Sequence, residues 1–211
     1  KSAIENQQIP VSVIGLTDLR NSDIDWSTYL LEEPEAGAQH LARKTLRDHQ
    51  VTAISDVMRG FEASDRGTLV MACGTGKTFT SLKIAEKIAV ENGGGARVLF
   101  MVPSLALMSQ TLGEWATECQ MPFHAWSVCS DIKVNRRRAA REDIADISIT
   151  DLKTPPTTDA GKLADSLTRD ANQDGLQVVF ATYQSIDVIA QAQELSGDSW
   201  RDFDLIICDE A

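Results

Sequence analysis

The sequence is short of several things, and each shortage closes off a class of protein. No apolar run approaches the roughly 18 residues needed to cross a bilayer, so no membrane span is read anywhere in it, and no signal-peptide pattern is visible in the residues present. Basic residues are scarce. There are 20 Lys and Arg against 31 Asp and Glu, a formal net charge of −11, which argues against broad, non-specific electrostatic attraction to nucleic acid. The four cysteines, Cys73, Cys119, Cys129 and Cys208, have no tight spacing. A disulfide framework is therefore not expected, and a reducing cytoplasm is the compartment that fits. Cys119, His124 and Cys129 lack both a C-x-x-C pair and a fourth partner, so they read as packing residues rather than zinc ligands.

What remains is ordinary globular composition: 211 residues, 43% hydrophobic and 24% charged, enough for one domain with a sizeable core. Residues 1–45 are mixed, with "IPVSVIGL" as a possible strand and Trp26 and Tyr29 as possible anchors. From Leu46 onward Val51, Ile54, Val57, Met58 and Phe61 recur at helical spacing. Strands and helices then alternate. "GTLVMA" (67–72), "RVLFMV" (97–102), "HAWSVCS" (124–130), "LQVVFAT" (176–182) and "FDLIICDE" (203–210) read as strands, with amphipathic helical stretches between them. Residues 131–175 are polar, contain "TPPTTD" and read as an excursion from this pattern. Alternation of this kind predicts an α/β fold with a mainly parallel sheet and helices on both faces.

The strongest local signal is "MACGTGKT" (71–78), placed after a strand and at the start of a helix. Gly74 and Gly76 allow a tight turn whose N–H groups point inward at phosphate oxygens, and the helix N-terminus adds a favourable dipole. Lys77 is placed to reach the β- and γ-phosphates and the Thr78 hydroxyl to ligate Mg²⁺. Met71 stands where the usual phosphate-loop pattern begins with glycine, so a chance glycine-rich loop is the competing reading of this stretch alone. The end of the chain supplies the complement. Leu205, Ile206, Ile207 and Cys208 read as a buried strand ending in Asp209 and Glu210. Such a strand carries Asp209 to the carboxyl edge of the sheet, where it can hold Mg²⁺ opposite Thr78. Glu210 can then polarise an attacking water. An apolar strand capped by two carboxylates is an unusual place for a chain to stop, and we expect a fragment of something larger.

Together these motifs resemble motifs I and II of superfamily-two helicases and DNA translocases of the DEAD/DEAH-like kind, whose second motif reads D-E-x-H. Further stretches agree in order and spacing. "LRDHQ" (46–50) is similar to the adenine-recognition motif, with Gln50 reading the adenine edge and Arg47 supporting the pocket. "VPSLALMSQ" (102–110) resembles a backbone-contacting motif in which Ser104 meets a phosphate. "ATYQS" (181–185) resembles the next one, with Thr182 and Ser185 as contacts. "MACGTGKT", "VCSD" (128–131), "PPTTD" (155–159) and "TYQS" fit the branch of type I and type III restriction motor subunits.

The resemblance implies a RecA-like P-loop NTPase three-layer sandwich. It implies an accessory segment over 1–45 and the first ATP-binding lobe over 46–211, cut within its second motif. It also implies ATP and Mg²⁺ as cofactors, with Cys73, Gly74, Thr75, Gly76, Lys77 and Thr78 cradling the nucleotide and Lys77, Asp209 and Glu210 acting in catalysis. The partners implied are nucleic acid, DNA before RNA, a second RecA-like lobe and a nuclease domain or subunit. Without the second lobe, weak nucleotide binding and poor hydrolysis are expected of this piece. Lys133, Arg136, Arg137, Arg138 and Arg141 form a local basic cluster that is a candidate phosphate contact or a solvated helix face. A nucleotide-binding regulatory module without turnover, or a P-loop phosphotransferase, are the alternative readings of the same motifs.

Overall fold

In the computed structural model, residues 43–129, 156–169, 174–200 and 202–209 are described, and they belong to one compact unit, Arg43–Ala211. In chain order its helices and strands are α1 (Asp48–Ala63), α2 (Lys77–Glu91), β1 (Gly95–Val102), α3 (Leu105–Glu118), β2 (Phe123–Val128), α4 (Ala160–Arg169), β3 (Gly175–Thr182), α5 (Ile186–Ser196) and β4 (Leu205–Cys208). The four strands form one sheet in the order β2-β3-β1-β4, and every neighbouring pair is parallel. No described helix is long and apolar enough to cross a membrane.

Two faces of the sheet are covered, and the strand period explains how. Side chains alternate across a strand. Val98, Phe100 and Val102 of β1 therefore join Leu176, Val178 and Phe180 of β3 on one face, packed against Phe79, Leu82 and Ala85 of α2 and Met108, Leu112 and Trp115 of α3. The intervening Leu99, Val179 and Ala181 face the other way, onto Leu163 and Leu167 of α4, Ile189 and Ala192 of α5 and Trp200. β3 is buried at every position from Gly175 to Thr182, as a central parallel strand must be. Phe100, Trp115 and Phe180 lock the first face, with ring centroids 5.3–5.7 Å apart. This is the three-layer α/β architecture expected from the sequence.

Two expectations are corrected. "GTLVMA" (67–72) is not a strand. Among the described residues it joins no ladder, Leu69 and Val70 are exposed, and Val70 keeps 88% of its surface. An apolar run becomes a strand only by pairing. β4, whose Ile206 is 55% exposed, is hydrogen-bonded to β1 alone among the described strands. The second correction concerns 131–175. Its described part is integral to the core rather than an excursion. Thr157 bridges Val128 in parallel, its N–H donating to the Ser127 carbonyl at 2.8 Å and its carbonyl accepting from the Cys129 N–H at 3.0 Å. Asp159 Oδ1 then accepts from the N–H groups of Gly161 and Lys162 at 2.9 and 3.2 Å, and α4 follows with Leu163 and Leu167 fully buried. Polar composition hid a short edge segment and a helix whose apolar stripe is only three residues wide.

Candidate nucleotide site

The stretch 71–78 turns where its glycines permit. The Thr75 N–H and hydroxyl both donate to the Ala72 carbonyl, at 3.4 and 2.7 Å, closing the loop. Gly76 is the N-cap of α2 and is left-handed, with φ 83° and ψ 43°, a conformation that costs a side-chain-bearing residue free energy. No side chain caps α2. Its first-turn N–H groups are the ones an anion is suited to meet. Lys77 and Thr78 are half-buried and Cys73 is exposed at the loop tip.

The first turn of α1 clasps this loop. Gln50 is only 4% exposed. Its side-chain oxygen accepts from the Arg47 N–H at 2.9 Å, while Nε2 donates to the carbonyls of Thr75 at 3.1 Å and Gly76 at 3.4 Å. His49 Nε2 lies 3.1 Å from the same Thr75 carbonyl. A Cβ on Gly76 would stand 2.5 Å from the Gln50 amide nitrogen, so a side chain there would push the Gln50 amide from its place. The structure thus joins Gln50 to the loop through hydrogen bonds that sequence reading did not foresee, and it adds His49 beside it. The only prior signal for His49 was its place next to Gln50 in "RDHQ". Arg47 is exposed and meets Gln50 through its backbone.

The strand ends gather the remaining candidates. Register pairs Val102 with Thr182 and Met101 with Cys208. Ser104, Thr182 and Asp209 therefore leave the sheet at one carboxyl edge, where open α/β sheets bind ligands. Asp209 continues the ladder by donating its N–H to the Met101 carbonyl at 2.9 Å. Ser104 caps α3, accepting from the Leu107 N–H at 3.3 Å, and its hydroxyl hydrogen remains to donate elsewhere.

Thr182 and Ser185 do not sit as expected. Both are buried, with hydroxyls 2.7 Å apart. In this conformation they lock the turn after β3, and it is Gln184 that is exposed there. Two aromatic side chains hold backbone carbonyls of the candidate metal ligands. Trp115 Nε1 donates to Thr78 O at 3.1 Å, and the Tyr183 hydroxyl to Asp209 O at 2.8 Å. Among the described residues no hydrogen bond or ion pair joins Lys77 or Thr78 to Asp209. Glu210 and the 133–141 basic cluster lie outside the described residues. The described residues also contain no group of three or more His, Cys, Asp or Glu fit to hold a metal.

An open parallel sheet, a glycine-turned loop feeding an uncapped helix and an acid at a strand end define a P-loop nucleotide-binding lobe of the RecA-like helicase type. Residues 43–211 match the model of the type III restriction enzyme, res subunit, and the chain belongs to that family. Two solved structures are similar to it. The ATP-dependent type ISP restriction-modification enzyme LlaBIII bound to DNA is 38% identical over 99% of this chain, with a TM-score of 0.76. A nuclease-deletion mutant of the type ISP enzyme LlaGI, in complex with a DNA substrate mimic, is 40% identical over 79%, with a TM-score of 0.64. This chain spans 13% and 15% of those two chains. No curated protein sequence matches it.

Proposed function

We propose that this chain is the ATP-binding lobe of a DNA-dependent ATPase, a helicase or translocase of the restriction or defence type, with residues 46–211 as the lobe and 1–45 as an accessory segment. The observation that carries the reading is Gln50. A buried amide from a helix upstream, hydrogen-bonded to the carbonyls of a phosphate loop, supports reading the two as parts of one nucleotide site, with Gln50 as the proposed adenine reader. The DNA-bound enzymes similar to it support DNA as the track. With four free cysteines, a reducing cytoplasm is the compartment we assign.

The residues present suit ATP with Mg²⁺. Thr78 and Asp209 offer the hard oxygen donors that Mg²⁺ prefers, and the α2 N-terminus and Lys77 offer positive potential for phosphates. When bound, Mg²⁺ neutralises phosphate charge as the terminal phosphoryl departs. Lys77 would hold the β- and γ-phosphates, Cys73 to Gly76 would line the cradle, and Arg47 would support the adenine pocket. Glu210 would orient the attacking water. Phosphoryl transfer is mostly positioning and charge stabilisation, and a second RecA-like lobe of the longer protein would supply the remaining cations. Ser104, with Thr182 and Ser185 once their turn opens, would meet the DNA backbone, and a nuclease domain or subunit would act on the moved DNA.

The test is ATP hydrolysis by a chain extended through the second lobe, alone and with single-stranded DNA, duplex DNA or RNA, beside a Glu210→Gln variant. We expect stimulation by DNA, at least tenfold and lost in the variant. Nucleotide binding without stimulation by any nucleic acid would replace the motor with a binding module.

A further inference from the structure

Asp209 sits one residue past the four-residue β4, which pairs with β1 alone among the described strands and leaves Ile206 and Cys208 exposed. An acid in that place would fray unless its peptide were held, and it is held twice. Its N–H is bonded to Met101 of β1, and its carbonyl accepts from the Tyr183 hydroxyl at 2.8 Å. The second bond is not a neighbour contact. β3 and β4 are separated by β1, so the Tyr183 ring reaches past the end of β1 to Asp209. Its own backbone is fixed at the start of the Tyr183–Ser185 turn by the buried Thr182–Ser185 hydroxyl pair.

We infer that Tyr183 is a positioning residue for the metal-side acid: its hydroxyl fixes the Asp209 peptide, so that the carboxylate is already aimed when nucleotide and Mg²⁺ arrive. The inference rests on the proposed role of Asp209 as a Mg²⁺ ligand. It differs from a packing role because the half-buried ring can keep its contacts while the hydroxyl alone is removed. The arrangement has a counterpart at Thr78, whose carbonyl is held by Trp115. Both oxygen donors assigned to Mg²⁺ thus have their backbones fixed by an aromatic N–H or O–H from another element.

The experiment measures ADP binding by calorimetry to this chain, in EDTA and across a Mg²⁺ titration, for the wild type, Tyr183→Phe and Asp209→Asn. The expected result is equal affinity of Tyr183→Phe and wild type in EDTA, which also reports an intact fold. The tightening given by Mg²⁺ should be smaller in Tyr183→Phe by about threefold to tenfold, the span of one lost hydrogen bond. If Tyr183→Phe keeps the full Mg²⁺ effect while Asp209→Asn loses it, the positioning role is overturned and the role of Asp209 stands. If both variants keep it, Asp209 is not the ligand and both ideas fall.

Discussion

Gln50 carries two tasks that a single substitution separates poorly, and the geometry says how much each is worth. Its amide makes one bond to the Arg47 N–H and two to loop carbonyls. Removing a buried partner costs about 1–3 kcal/mol. Gln50→Ala is therefore expected to weaken ADP binding by about tenfold or more, even in EDTA, because the loop itself loosens. Glu at this position would place a carboxylate against the carbonyls of Thr75 and Gly76 and should be as damaging. Calorimetry of Gln50→Ala without Mg²⁺ checks this, and an unchanged affinity would mean that the contacts with Thr75 and Gly76 do not shape the cradle. At this scale motif spacing in the sequence singled out candidates, Lys77, Thr78 and Asp209 among them, but not what they touch. The Gln50–loop contact, His49 and the reach of Tyr183 depend on where α1 and the turn after β3 dock, which no local pattern encodes. Cys119 shows the same limit. Burial pushes its thiol up to about 11, and nothing in the spacing of the cysteines foretold it.

Among the elements, long runs with one strong period were legible and edges were not. β1, β3, α2 and α3 fall where apolar spacing put them, because each buries a face wide enough to leave a pattern; α1 forms as well but buries only Gln50 and Ile54 and leaves Val51 and Phe61 exposed. The run 67–72 had the composition of a strand yet pairs with nothing among the described residues, since strand character needs a neighbour as well as apolar residues. The segment around 156–169 failed in the opposite direction. Its three buried residues, Leu163, Ala164 and Leu167, are spaced as one face of a helix, but "PPTTD" and its polar surroundings masked them.

The joint between α2 and β1 and the start of β3 depends on a backbone feature equally hidden from hydropathy. Gly175 has φ +92°, and a Cβ there would collide with the Pro122 carbonyl, while its N–H donates to the Gly94 carbonyl at 3.0 Å. Gly175→Ala must strain the backbone and displace the turn before β2. It is expected to destabilise the fold by about 2 kcal/mol or more, read as a lowered midpoint in urea unfolding. Gly113→Ala serves as the control, because a Cβ there meets nothing within 4 Å and alanine favours the interior of α3. Equal midpoints for the two variants would show that the segment at Pro122 yields to Gly175.

For the whole molecule the question is how a chain of net charge −11 can engage a polyanion. A diffuse attraction is excluded by sign, so the proposed contact with DNA must be local and short-ranged, screened beyond roughly 10 Å in ordinary buffers. The neutral candidates at the carboxyl edge, Ser104 and the turn at Thr182–Ser185, donate hydrogen bonds but release no counterions. Salt dependence must then come from a few cations. Arg136, Arg137 and Arg138 are the densest group in the sequence. Each phosphate neutralised contributes about −0.9 to the slope of log K against log salt on duplex DNA. If the three arginines meet phosphates, replacing all three with Ala should flatten the slope by about 2 to 3 and weaken binding at low salt, with little change among DNA sequences. Fluorescence anisotropy with a labelled duplex, from low to moderate salt, gives the slope directly. An unchanged slope would make the cluster a solvated helix face and leave the acidic chain to hold DNA by neutral donors, with the cationic grip supplied by the second lobe.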